Sequence, residues 1–345
     1  MSLKELKKEH YENTELVVKD IARREITFGV KIRHQAFSDV EDLRSVLAAR
    51  PKIDGCFAST AYYLDPHVRA PTKKGHLGTD LVFDIDVNPT TDRLNWLYDI
   101  CYRTSAVLDI LTNELGFSKE DMMLDFSGNK GFHITITDAS YNDMPKTDRT
   151  QLGKYILGEG VVRKNLEHGK GGWNRRYAFY LQNLAKLTGD DAKKNRKVLD
   201  GLGLPKITTK KLSDLLTDST KREALSKGRL SFLGDKIVTA LQSNFFNQQK
   251  ELLSCVDKSV INDLYKIMRI PGTIHPKSGL VSTVLAIDDV DDPDAIFEKV
   301  KAAGGLDLVT ITLDKEVTED FDQVKVWPAG THEVPRWLAL HLLHQ

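Results

Sequence analysis

Hydrophobic positions change their spacing several times along the chain, and each change marks an element. Residues 1–23 read as a helical lead-in. Between residues 24 and 63, two strand-like pieces, ITFGVKI and CFASTAYYL, flank a helical piece, DVEDLRSVLAA. The Pro/Gly/Lys-rich stretch APTKKGHLG is a loop signal. It leads into TDLVFDIDV, an apolar run of strand length with β-branched residues. Helical spacing returns over DRLNWLYDICYRTSAVLDILTNELGF and ends at Gly116, and LDFSGNKGFHITIT then reads as strand, tight glycine turn, strand. Residues 146–250 are mostly helical, residues 265–285 return to turn and strand, and the tail ends in a helix started by Pro335. Strand-rich portions on both sides of a helical stretch predict an α+β fold, with sheets assembled from distant parts of the chain and flanked by helices. The expected organisation is a discontinuous α/β domain, residues 1–145 and 237–345, carrying a helical insertion over 146–236.

Composition narrows this picture in two places. The chain has 345 residues, 41% of them hydrophobic, enough to bury one large domain or two intimate ones. Its 49 Lys and Arg balance 49 Asp and Glu, so net charge carries no signal, but residues 150–236 hold 19 basic against 9 acidic side chains. That basic stretch fits either a polyanion-binding surface or a solvated helical face. Within it, Lys170, Trp173, Arg175, Arg176 and Tyr177 interleave cations and aromatics, as a nucleic-acid surface or the core of a helical subdomain does. The cysteines Cys56, Cys101 and Cys255 are odd in number and far apart. They form neither a disulfide framework nor a CxxC pair, so the chain reads as intracellular and without an ordinary zinc site. No signal-peptide pattern opens the sequence, and no run approaches the roughly 20 apolar residues of a membrane span.

Three motifs carry candidate chemistry, with a weaker fourth. Asp84 and Asp86 close the apolar run LVFDID. On a strand they share a face roughly 6.5 Å apart. Two carboxylates at that spacing repel unless a cation lies between them, and oxygen donors suit Mg²⁺ or Mn²⁺. The same pair also fits a strand end opening into solvent. Ser127-Gly-Asn-Lys130-Gly-Phe-His133 packs two glycines into a short turn, where backbone N–H groups, Ser127 and Lys130 suit phosphate oxygens. In the strand that follows, His133, Thr135 and Thr137 share the polar face, and the motif taken alone fits a hairpin turn with a satisfied surface histidine at least as well. Arg269-Ile-Pro-Gly-Thr-Ile-His275-Pro-Lys277 sets a histidine and a lysine on one side of a proline-stiffened segment, a pairing suited to a triphosphate, though a Pro/Gly-rich loop with incidental cations is the commoner case. Arg24, at the start of a strand, says little alone.

Taken together and in this order, the four motifs resemble those of the small catalytic subunit of archaeal and eukaryotic DNA primase. The resemblance runs from about residue 20 to the C-terminus. It implies a primase-type catalytic domain and a third catalytic aspartate eighteen residues before the histidine of the last motif, which is Asp257; Asp263 is the nearby competitor. Asp84, Asp86 and Asp257 are then expected to hold two Mg²⁺ or Mn²⁺ ions. Ser127, Lys130, His133, His275 and Lys277 are expected to hold the incoming triphosphate, with Arg24 and Arg269 assisting. The implied reaction is DNA-templated synthesis of short RNA primers from nucleoside triphosphates. The implied partners are a single-stranded DNA template and a large primase subunit, with no membrane, and the implied place is the cytoplasm for an archaeal-type protein or the nucleus for a eukaryotic one. The alternatives are a primase–polymerase or repair polymerase extending DNA ends, and a noncatalytic template-binding replication subunit. Two departures stand out. The turn carries Asn129 and Lys130 where many members have arginine, losing the bidentate fork. The zinc knob usual after the DID strand lacks its ligands, since only Cys101 remains between Asp86 and Gly116, so no structural zinc is expected.

Overall fold

Alternating burial along the predicted strands builds two four-stranded sheets. The computed structural model describes residues 1–345 except 30–31, 54, 89–92, 164–165, 167–170 and 320–323. Among the described residues, strands run over Ile26–Phe28 (β1), Ile32–Gln35 (β2), Cys56–Ser59 (β3), Ala61–Tyr63 (β4), His76–Thr79 (β5), Leu81–Asp86 (β6) and Met122–Phe126 (β7). They continue with Gly131–Ile136 (β8), Ile267–Arg269 (β9), Thr283–Leu285 (β10), Leu308–Leu313 (β11), Val317–Glu319 (β12), Lys325–Trp327 (β13) and Gly330–Pro335 (β14). One sheet has the order β2-β1-β3-β9 and the other β10-β7-β8-β6. All their pairings are antiparallel. The fold is α+β.

The chain divides into two compact units, the first comprising Met1–Leu108, Phe117–Gly153 and Cys255–Gln345, and the second Asp109–Gly116 and Lys154–Ser254. The expected boundary at 236/237 falls inside the helix Asp235–Leu252. Both sheets belong to the first unit, and each takes one strand, β9 or β10, from chain that follows the second.

In the first sheet, Ile26, Phe28 and Cys56 join a core with Leu6 and Tyr11 of helix Leu3–Asn13 and Leu43 and Leu47 of helix Val40–Ala49. The first helix starts at a Ser2–Glu5 capping box and the second at Asp39, whose side chain accepts from the Asp42 N–H. The helical lead-in expected to residue 23 stops at Asn13. Thr14 turns extended, the Val17 N–H bonds Pro271 O at 3.2 Å, and helical turn returns only as a short 3-10 segment over Ile21–Arg23. In the second sheet the alternation is clean. Leu81, Phe83 and Ile85 lie on one face beside Leu124, Phe126, Phe132, Ile134 and Ile136, all buried. Each such side chain contributes roughly 1.5–3 kcal/mol of burial. The opposite face is left to Val82, Asp84, Asp86, Met123, Asp125, His133 and Thr135.

The second unit is helical. Trp173 and Tyr177 are buried in it, Trp173 stacked on Phe246 at 5.4 Å and Tyr177 packed on Phe245 at 5.2 Å. Arg176 lies 3.9 Å over the Trp173 ring and 2.9 Å from the buried Glu114 carboxylate. The aromatics of the basic stretch are therefore core, and Lys170 lies outside the described residues. Among the described residues, no helix is long and apolar enough to cross a membrane.

Candidate active site

Strand β6 carries Asp84 and Asp86 out of the core on the face opposite its buried leucine, phenylalanine and isoleucine. Antiparallel pairing with β8 sets Asp84 opposite His133 and Asp86 opposite Gly131. Only glycine fits there, because a Cβ on Gly131 would sit 2.1 Å from Asp86 Oδ1 and 2.2 Å from Ile85 O. On the other side of β8, β7 sets Asp125 opposite His133. The His133 ring thus lies between two carboxylates, with Nδ1 2.8 Å from Asp125 Oδ2 and Nε2 3.8 Å from Asp84 Oδ1.

The turn joining β7 to β8 is held from within and from outside. The Gly131 N–H donates to Ser127 Oγ at 3.2 Å, and Gly128 adopts φ +86°, a conformation that favours glycine. The Ser278 hydroxyl donates to Gly128 O, and Ser282 Oγ donates to Phe126 O at 2.9 Å. The loop between β9 and β10 is thereby stitched to the turn. In that loop His275 Nδ1 accepts from the N–H groups of Lys277 and Ser278 at 3.2 and 3.3 Å, so Nε2 carries the ring hydrogen.

These elements surround a cleft of about 180 Å³. Asp84, Asp86, Ser127, Lys130, His133, Arg269 and His275 line it, together with Phe57, Asn129, Lys266, Ile267 and Met268. Lys130 Nζ lies 2.9 Å from Asp86 Oδ2. Burial, then the neighbouring carboxylates of Asp86 and Asp257, push the Asp84 pKa up, with His133 working the other way. Burial opposes charge on His133, but Asp125 foremost, then Asp84 and Asp86, outweigh it and raise its pKa to about 9. Burial lowers Arg269 to about 10; its guanidinium stacks 4.7 Å over Phe57, and its Nη1 is buried without a hydrogen-bond partner. The cleft therefore pairs an acidic edge on β6 with a cationic edge from the turn, β9 and the loop.

Not every expected residue reaches this cleft. Asp257 caps the helix Lys258–Asn262, accepting from the Ser259 N–H at 2.8 Å, while its own N–H bonds Asp84 O at 2.9 Å. It therefore lies beside Asp84, whereas Asp263 is exposed and accepts from the Tyr265 N–H. Lys277 is exposed on the loop and does not line the cleft. Arg24 is 5% exposed and already engaged. It pairs with Asp80 at 2.6 Å and donates to Tyr62 and to the carbonyls of Lys19, Ser59 and Thr60. Arg24, expected to assist at the triphosphate, does not line the cleft, and each of its guanidinium nitrogens already has an acceptor in these groups. Two residues escaped the sequence reading. Asp125 was legible only through register: once Phe126 pairs with Phe132 across the turn, Asp125 must face His133. Lys266 precedes a short strand and gave no motif.

Among the described residues, no three His, Cys, Asp or Glu side chains are gathered closely enough to form a ready cation cage. The donors beside the cleft nevertheless suit a hard divalent ion. They are all carboxylate oxygens, and Asp84 Oδ1 is buried with no hydrogen-bond partner.

The family described as DNA primase small subunit matches residues 83–287, more than half of the chain. The chain belongs to that family. The DNA primase small subunit PriS of Methanococcoides burtonii is 26% identical over 340 residues, covering 90% of this chain and 86% of that protein. The PriS of Picrophilus torridus is 26% identical over 360 residues, covering 96% and 93%. That of Methanosphaerula palustris is 28% identical over 328 residues, covering 90% and 84%. The primase match takes in Asp84, Asp86, the glycine turn, Asp257 and the His275 loop, and leaves Arg24 outside. In this primase subunit Cys101 is buried, and burial pushes its thiol up to about 12.

Proposed function

We propose that this primase subunit is catalytic and makes short RNA primers on a single-stranded DNA template by nucleotidyl transfer. The observation that carries the reading is the cleft itself, where two strand-borne carboxylates face Lys130, His133, Arg269 and His275 across a space of about 180 Å³. Asp84 and Asp86, with Asp257 beside them, would hold divalent Mg²⁺ or Mn²⁺, which when bound lowers the pKa of an attacking 3′-hydroxyl and neutralises the departing pyrophosphate. Lys130, His133, Arg269 and His275 bind the triphosphate oxygens, and the Ser127–Gly131 turn offers backbone N–H groups to the same anion. Catalysis then rests on positioning and charge stabilisation. Lys277, exposed on the same loop, is the remaining cation expected for the triphosphate. A large primase subunit is the expected partner.

The deciding experiment is primer synthesis from nucleoside triphosphates on single-stranded DNA, comparing wild type with Asp84→Ala/Asp86→Ala, each with and without Mg²⁺ or Mn²⁺. Metal-dependent product from the wild type alone supports the reading. Product only when a primer is supplied points to a polymerase that extends DNA ends, and equal product from the double variant overturns the assignment of these aspartates.

A further inference from the structure

We propose that Asp125 is a positioning residue that aims His133 into the cleft, so that the nucleotide-facing nitrogen of this histidine depends on a carboxylate outside the cleft lining. The inference rests on the reading of the cleft as a nucleotide site. Asp125 stands directly opposite His133 across the β7–β8 ladder, on the same face of the sheet. It is 2% exposed, and its Oδ2 lies 2.8 Å from His133 Nδ1. An ionised carboxylate only accepts, so Nδ1 is the donor and carries hydrogen. Nε2 is thereby committed to the cleft, 3.8 Å from Asp84 Oδ1.

The His133 ring borders two spaces. Behind it lies a second cavity of about 110 Å³ between the two sheets, lined by Asp125, Val82, Met123, Met268 and Arg269 as well as by His133. The histidine is thus part of the partition between two spaces. A half-turn about its last torsion would exchange the positions of its two nitrogens with carbons. The hydrogen bond to Asp125 is the contact that selects one orientation. A partner that fixes the plane of a histidine in this way is commonly worth roughly 10- to 100-fold in what the histidine binds.

The test is a double-mutant cycle on the full chain, read as affinity for a non-hydrolysable nucleoside triphosphate with Mn²⁺ and accompanied by long-range ¹H–¹⁵N spectra of the histidine rings. In the wild type, His133 is expected to show hydrogen on Nδ1. Asp125→Leu should lose that signature and weaken nucleotide binding by roughly 10-fold. His133→Ala should weaken it at least as much, and Asp125→Leu should add nothing in the His133→Ala background. If Asp125→Leu does not fold, Asp125→Ala carries the same cycle. Losses that multiply in the double variant, or nucleotide affinity unchanged by either substitution of Asp125, would overturn the proposal. Should the wild type bind no nucleotide, the reading of the cleft fails, while the ring spectra still decide whether Asp125 fixes His133.

Discussion

Lys130 and Arg24 are both cations that the sequence motifs place near phosphate, and their surroundings separate them. Lys130 is partly exposed and lies 2.9 Å from Asp86, on the rim of the cleft. A charged hydrogen bond to a phosphate is worth about 1.5–3 kcal/mol, so Lys130→Ala should raise the KM for nucleoside triphosphate roughly 10- to 100-fold. Lys130→Arg should hold it near the wild-type value, and steady-state kinetics on a primed template separates the two. Arg24 has the opposite profile. It is buried against Asp80, and removing one partner of a buried pair costs about 3–5 kcal/mol because the other charge is left uncompensated. Arg24→Ala should therefore lower the urea midpoint sharply, with nucleotide affinity of the folded fraction unchanged. A variant that melts like wild type but binds nucleotide poorly would return Arg24 to the site.

At the scale of elements, the β6–β8 ladder sets the spacing of the whole cleft. Gly131 is its closest approach, and Gly131→Ala should force the strands apart next to Asp86. Overpacking against a backbone oxygen at 2.2 Å should cost about 3 kcal/mol or more, measurable by equilibrium denaturation, and should abolish primer synthesis in whatever folds. This ladder also shows what could be read beforehand. The LVFDID strand and the strand–turn–strand around Lys130 were legible because alternation and paired glycines are local signals. Asp125 was not, because its meaning lies in a cross-strand register that shifts by one residue with the turn. The destination of Arg24 was hidden for a related reason. Its partners come from the carbonyls around β3, from Tyr62 and from Asp80, and only the β1–β3 pairing brings those together. Asp257 was found through the spacing seen in the family; its place beside Asp84 follows from the bridge between Ile85 and Val256.

Across the first unit as a whole, the N-terminal helix is fastened to the loop that carries His275. His10 Nε2 lies 2.8 Å from Gly272 O, and the Ile274 N–H donates to Tyr11 Oη at 3.2 Å. Burial lowers His10 from the ordinary 6.5 to about 4; its bond to Gly272 opposes this and Arg336 adds to it. The unfolded chain takes up this proton near pH 6.5, whereas the folded chain does so only near pH 4. The stabilisation is complete above pH 6.5 and is lost as pH falls through that window. Between pH 7 and pH 5 the loss from this one group should be on the order of 2 kcal/mol. Urea titrations at the two pH values should show that share of the acid sensitivity missing from His10→Gln, whose amide can still reach Gly272. An unaltered pH slope in that variant would place the sensitivity elsewhere.

The stitching of the Gly128 turn to Ser278 spans 150 residues of chain, with the helical unit lying between the two in sequence. During synthesis on the ribosome, the acidic edge and the glycine turn emerge long before the His275 loop and β10. Until that last stretch leaves the exit tunnel, β7 keeps a bare edge and the turn has no outside support. A prematurely terminated or C-terminally clipped product would carry both aspartates of β6 and yet lack half of the cationic wall. Such fragments should neither compete for nucleotide nor start chains.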